Sequence, residues 1–354
     1  MNRFWSPLIK TLDPYIPGEQ LNIDNIIKLN TNENPYGPSQ KVIEAISCRL
    51  NEKLRLYPHP ESEGIKVSAA KWLKRDKDEI FAGNGSDEVL AHLFKGFFTD
   101  KKSPLFFPDI SYSFYPVYCG LYNIDYQTIP LNSNFEIDIE NYKKVDGDII
   151  FPNPNAPTGI YLPLEKVEEL LRSNSERLVV IDEAYIDFGG QSAVSLIDNY
   201  DNLIVIRTLS KSFSLAGLRV GFAVAQKDLI EGLTRIKNCF NSYPLDNLAI
   251  AGGAAALNDT EYLQKSVQKI IDARRVLTDS LKTLGFNVLD SKANFVFAEH
   301  KNIPAGEIAA ELKKRNILVR HFKGNRIDNF LRITVGTQKQ VELLIAAIKE
   351  IVDK

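Results

Sequence analysis

Short apolar runs alternate with stretches of helical period along most of the chain. The runs at 80–82, 105–107, 148–151, 178–181, 203–207 and 220–224 are largely apolar and bounded by polar or turn residues. Between several of them lie segments of helical spacing, such as 88–98 and 164–172. This alternation predicts an α/β fold: a mostly parallel sheet with helices on both faces. The pattern changes near residue 245. A long helix is predicted from about 261 to 284, with Leu263, Val267, Ile270, Ile271, Leu277, Leu281 and Leu284 near one face. Gly285 stops it. Apolar runs at 293–298, 318–321 and 331–335, a helix at 305–315 and a last helix from Gln338 read as a smaller α+β domain. The first 35 residues read as irregular, because Pro7, Pro14, Pro17 and Pro35 break any long element. The expected division is an N-terminal arm at 1–35, a large domain at 36–245 and a small domain at 246–354.

Length agrees with two domains, since 354 residues exceed the ~100–200 of a single one. With 43 Lys plus Arg against 45 Asp plus Glu, the net charge of −2 leaves no whole-chain basic footprint for nucleic acid. Cys48, Cys119 and Cys239 are too scattered for a disulfide framework or a zinc spacing. The four histidines show no ligand spacing either. The first twenty residues lack the apolar run of a secretory signal. The longest apolar stretch, 248–257, is half the ~20 residues needed to span a bilayer. A soluble cytoplasmic protein is expected.

Five segments could carry chemistry. In TLSKSFSLAGLRVGF, Lys211 sits just after the apolar run 203–207, where ligands bind in open α/β sheets. A lysine there can form a Schiff base if its neighbours lower its pKa. Ser210 and Arg219 flank it with a hydroxyl and a guanidinium, both good phosphate donors. Alone, Lys211 reads equally as a solvated loop lysine. In VVIDEAYIDF, Asp182 follows an apolar run and is either exposed at a strand end or buried against a cation such as a pyridinium. Tyr185 could donate its hydroxyl to a cofactor phenolate; a capping Asp with a packing Tyr is the alternative. GNGSDEVLAHLFKGFF places Ser86 and Asp87 at a helix start, which suits a phosphate or a plain cap. FPNPNAPTGIYLP has the composition of a turn. In ISYSFYPVY, Tyr112 could stack on an aromatic cofactor or sit in a core.

Together with LNTNENPYGPS at 29–39, LYPHP at 56–60 and LRITVGT at 331–337, these segments resemble one family in order and spacing. The chain is similar, from LDPY at 12–15 onward, to the fold-type-I pyridoxal-phosphate aminotransferases, and among them to the histidinol-phosphate aminotransferases. The resemblance implies a large domain with a seven-stranded sheet, a small C-terminal domain, a homodimer and pyridoxal 5′-phosphate as cofactor. It implies transamination between L-histidinol phosphate and 2-oxoglutarate, giving imidazole-acetol phosphate and L-glutamate, in histidine biosynthesis. Lys211 would be the Schiff-base lysine and proton shuttle. Asp182 would keep the pyridine nitrogen protonated, and Tyr185 would hydrogen-bond O3′. Tyr112 would stack on the ring. Ser210, Arg219 and the backbone at Ser86 and Asp87 would bind the phosphate, with Tyr57 reaching it from the neighbouring subunit. Arg332 would clamp the substrate carboxylate. Tyr15, Asn32 and Arg320 would line the substrate pocket, with Arg320 a candidate for the substrate phosphate.

One departure stands out. Where the family usually has Asn before Pro-Thr-Gly, contacting O3′, this chain has Ala156, with Asn155 one residue earlier. Successive side chains on extended backbone face opposite ways, so Asn155 replaces that amide only if the turn is rearranged. Threonine-phosphate decarboxylase shares these motifs and differs in the bond broken at Cα. An aromatic amino-acid aminotransferase would not require Arg320. A non-catalytic cofactor sensor of a transcription regulator would need a DNA-binding segment, for which the start MNRFWSPLIK leaves no room.

Overall fold

The computed structural model describes residues 3–21 and 25–353. Twelve strands form two sheets among the described residues. The larger sheet contains β2 (Ile80–Asn84), β3 (Leu105–Pro108), β4 (Tyr126–Ile129), β5 (Ile149–Pro152), β6 (Val179–Asp182), β7 (Leu203–Thr208) and β8 (Val220–Ala225). Its order is β2-β8-β7-β6-β5-β3-β4. Only β8 runs against its neighbours; the other pairings are parallel. The expected seven-stranded, mostly parallel sheet is therefore present.

The central strands β5, β6, β7 and β8 are buried at every position. Helices cover both faces of a parallel sheet, so its strands read as continuous Val and Ile runs, which made them visible in the sequence. Strand β4 lacks that signature. It sits at the edge, exposed at three of four positions, and no apolar run announces it. The carboxyl ends of β5, β6 and β7 lie side by side, with Pro152 opposite Asp182 and Asp182 opposite Ile206.

The smaller sheet contains β1 (Ile27–Leu29), β9 (Phe286–Val288), β10 (Phe295–His300), β11 (Ile317–His321) and β12 (Leu331–Thr334), in the order β1-β11-β12-β10-β9. The helix Thr260–Thr283 buries Leu263, Val267, Ile270, Leu277 and Leu281. Gly285 ends it with a φ of +88°, a conformation other residues rarely adopt, and its amide donates to the Lys282 carbonyl at 3.1 Å.

The irregular arm expected over 1–35 is corrected at two places. Pro7–Thr11 form a short helix capped by Ser6, with Pro7 in its first turn, where a missing N–H costs nothing. Residues 27–29 pair in parallel with 317–319 and so belong to the small sheet. Three residues are too few for a period, and the partner strand lies some 290 positions away, so no local pattern could reveal the pairing. No described helix is long and apolar enough to cross a membrane. No cluster of metal-ligating side chains occurs among the described residues.

Candidate active site

The carboxyl edge of the large sheet faces the small sheet across a cavity of about 260 Å³. Twelve of the residues singled out in the sequence line it: Tyr15, Asn32, Ser86, Asp87, Tyr112, Asp182, Tyr185, Ser210, Lys211, Arg219, Arg320 and Arg332. Strand β7 ends at Thr208, and the chain turns so that Ser210 and Lys211 meet the cavity. Lys211 Nζ donates to the Thr31 carbonyl at 3.4 Å and lies 5.7 Å from the centre of the Tyr185 ring. Asn34, which the sequence reading missed, donates its amide to the carbonyls of Lys211 and Ser212 at 3.2 Å each. It lies in the motif LNTNENPYGPS, so the signal was present but unassigned.

At one end of the cavity β2 runs into the helix Gly85–Leu93. Its first amides have no partner within the helix and favour an anion. Arg219 Nη2 donates to Asp87 Oδ2 at 2.7 Å, and Tyr112 donates to Asp87 Oδ1 at 3.0 Å. Ser210 Oγ accepts from Thr208 Oγ1 at 3.0 Å, which leaves its own hydrogen to donate. A Cβ at Gly221 would stand 2.2 Å from the Ser86 nitrogen, and one at Gly85, with φ +75°, 2.5 Å from Arg219 Nη2. Both glycines are required for this close approach of backbone and guanidinium.

Deeper in, Asp182 is 4% exposed. Burial pushes its carboxyl up to about 7, against the opposing pull of the Ala184 amide, and the Asp87 charge adds to the rise. At the other end, Arg320 and Arg332 stand opposite each other on β11 and β12. Arg332 Nη2 donates to the Asn30 carbonyl at 3.1 Å, while its Nε is buried without a partner. Burial lowers the pKa of this guanidinium. Arg320 reaches the Ile16 and Pro17 carbonyls at 3.3 and 3.4 Å, contacts long enough to give way to an anion.

These residues fit a phosphorylated pyridine aldehyde on two counts, and a third feature suits its substrate. The glycine-lined helix start with Arg219 and Ser210 suits its phosphate. The buried Asp182 carboxylate calls for a cation such as a protonated ring nitrogen. The orphaned Arg332 Nε suits a substrate carboxylate.

Two expectations did not place in this cavity. Asn155 does not line it: its amide donates to the Ile110 carbonyl and to Thr158 Oγ1, both at 3.0 Å. Ala156 occupies the wall in its place. The Asn155 amide therefore holds the turn, and the side chain does not line the cavity. Tyr57 is 80% exposed and stacks on Tyr243 with ring centres 4.6 Å apart, beside a separate groove containing Leu54 and Asn247. Within one chain it does not reach Lys211's cavity.

The Asp182 titration has a measurable sign. Folding raises its pKa from 3.8 to about 7. Between those values the folded chain holds a proton that the unfolded chain has released. The contribution of this group to stability therefore falls as pH rises from about 4 to about 7. Asp182→Asn abolishes that titration. In urea unfolding of the cofactor-free protein, the variant should gain on the wild type by a few kcal/mol across this interval and level off above it. A difference that stayed constant with pH would show that the buried carboxyl is not strained.

The family model for "Aminotransferase class I and II" matches residues 24–348. The histidinol-phosphate aminotransferase of Pseudomonas putida is 57% identical over 348 residues, covering 98% of this chain and all of its own. The crystal structure of the histidinol-phosphate aminotransferase from Clostridium acetobutylicum matches with a TM-score of 0.84 and 27% identity, covering 93% of this chain and 99% of that one. That from Sinorhizobium meliloti, in complex with pyridoxal-5′-phosphate, matches with a TM-score of 0.89 over 100% of this chain and 98% of that one; at 22% identity this is a likeness of fold. The cavity lies where the matched segment brings both sheets together, and by this match over nearly its whole length the chain belongs to the aminotransferase class I and II family.

Proposed function

We propose that this chain is a pyridoxal-phosphate aminotransferase that moves an amino group between L-histidinol phosphate and 2-oxoglutarate, a step of histidine biosynthesis. The observation that carries this reading is the meeting of Lys211, Asp182 and an anion-binding helix start with two arginines in one cavity. The names of full-length relatives at 53–57% identity support the substrate.

Pyridoxal phosphate, when bound, supplies an aldehyde that condenses with amines and a ring that takes up the electron pair left at Cα. The chain does the rest. Ser210, Arg219 and the amides of Ser86 and Asp87 hold the phosphate. Asp182 holds a proton at the ring nitrogen, and the attraction between the two charges removes the cost of burying the carboxylate. Tyr112 covers the ring, and Tyr185 donates to its phenolic oxygen. Lys211 Nζ would accept the Cα proton and return it to the carbon that carried the cofactor's aldehyde. Arg332 takes the α-carboxylate of glutamate and 2-oxoglutarate. Arg320, released from the Ile16 and Pro17 carbonyls, takes the phosphate of histidinol phosphate, which has no carboxylate. The decarboxylase reading asks for a substrate carrying both anions at once; the amino-transfer reading needs each in turn.

The chain works as a cytoplasmic homodimer in this reading. Pro58 and Pro60 hold the backbone around Tyr57 extended, and the exposed ring reaches the phosphate site of the partner.

Borohydride reduction of the purified protein should fix the cofactor on Lys211, as read by peptide mapping; an adduct on another lysine would remove the assignment. Arg332→Ala should weaken glutamate. Arg320→Ala should weaken histidinol phosphate about 10–150-fold while sparing unphosphorylated histidinol, the value of one charge-assisted contact of about 1.5–3 kcal/mol. Equal losses on both would end the phosphate role of Arg320. Carbon dioxide release from threonine phosphate in place of keto-acid formation would favour the decarboxylase.

The shared site has its own test. Lys211→Ala and Tyr57→Ala subunits, each impaired alone, should regain activity when mixed and reassembled, because one site per hybrid combines an intact Lys211 with an intact Tyr57. Mixtures no more active than their components would refute the exchange.

A further inference from the structure

Tyr185 has one hydroxyl hydrogen and two acceptor positions. Asn32 Nδ2 donates to its oxygen at 3.0 Å. That bond fills an acceptor position and leaves the hydrogen to point elsewhere. The neighbouring wall residue, Ala156, presents only a methyl group.

The direction of the Asn32 amide is in turn fixed from the small domain. Thr334 Oγ1, on β12, accepts from the Asn32 backbone N–H at 3.0 Å and donates to Asn32 Oδ1 at 3.0 Å. Asn294 Nδ2 donates to the Asn32 carbonyl at 3.0 Å. Asn32, Thr334 and Asn294 are 1%, 3% and 0% exposed, so water does not substitute for these partners. A flipped amide would put Oδ1 against Tyr185 and leave the Thr334 hydrogen without an acceptor. The tyrosine hydrogen would then turn back onto Asn32. Asn32 also holds a φ of +57°, a left-handed conformation that Asn tolerates.

We infer that Thr334, which does not line the cavity, is a positioning residue that acts through the Asn32 amide to aim the Tyr185 hydroxyl hydrogen at the cofactor's phenolic oxygen. The inference rests on the cofactor reading above. Thr334 lies two residues beyond Arg332 on the same strand, so one strand bears both the carboxylate clamp and the lock on Tyr185.

The readout is the pH midpoint of the visible absorbance of the cofactor-loaded protein. A donor on the phenolic oxygen favours its charged form, so losing its aim raises the midpoint. The charged groups around Tyr185 are Lys211, 5.7 Å from its ring, Arg332 and the nearby Asp182. All three remain in every variant below and cancel in the comparison. Thr334→Val should raise the midpoint by about half a unit or more, roughly threefold in the protonation constant. Thr334→Ala should do the same, and Thr334→Ser should keep the wild-type value. In a Tyr185→Phe background, Thr334→Val should add no further shift. An unchanged midpoint in Thr334→Val or Thr334→Ala with cofactor bound would overturn the inference. So would a full additional shift on top of Tyr185→Phe. Absence of any visible band in the wild type would instead overturn the cofactor reading.

Discussion

A carboxylate at the end of a central strand places a heavy demand on its surroundings. Asp182 closes β6 between β5 and β7, buried on all sides, and its carboxyl is pushed up to about 7. A charge there is tolerated only with a partner, because desolvating an ion costs several kcal/mol. The surroundings supply one backbone N–H, from Ala184 at 3.2 Å, and one long contact to Tyr115 at 3.4 Å. Neither is a cation. Burial pushes the next acid, Glu183, up to about 7 as well, but it is answered within the chain, by Arg207, Ser192 and the Ala193 amide. The two adjacent buried acids therefore differ in their partners: Glu183 has an arginine, and Asp182 has only an amide and a long contact to a tyrosine.

The cavity around Asp182 depends on both sheets and on the segment joining them. Residues 27–29 extend the small sheet, and the next few turn across to the large one. Asn30 accepts from Arg332, Thr31 from Lys211, and Asn34 holds the loop of Lys211. A stretch of five residues thus touches Arg332, Lys211 and, through Asn32, Tyr185. Arg326 adds a second tie, donating to the carbonyls of Leu131 and Asn132 at 3.0 and 2.7 Å. Arg320 takes its partners from elsewhere, the carbonyls of Ile16 and Pro17 in the N-terminal stretch.

Much of this was legible in the sequence. The central strands carry their own signal, since burial on both faces demands unbroken apolar runs. The helix at 260–283 shows its period over more than six turns and ends in a glycine that needs positive φ. Site residues were legible where the chemistry demands an unusual residue at a strand end, as with Asp182 and Lys211. Strands β1 and β4 were not: one is three residues long with a distant partner, and the other is a polar edge. Asn34 and Thr334 lie inside quoted motifs but were left unassigned, because a motif does not show which distant residue each side chain bonds.

The substitution at position 156 shows what sequence reading can pose and only geometry can answer. Two responses to a missing amide were open: the neighbouring Asn155 could swing in, or Tyr185 could contact O3′ alone. Asn155 is committed elsewhere, to the Ile110 carbonyl and Thr158, and moving it would strand a buried carbonyl. The amide that meets Tyr185 comes instead from Asn32, more than 120 residues earlier in the chain. An amide in the turn would be held by the large domain alone. An amide at position 32 is held by β12 of the small sheet. The aim of the tyrosine therefore depends on how the two sheets sit against each other, and Arg332 stands on the same strand as the residue that sets it.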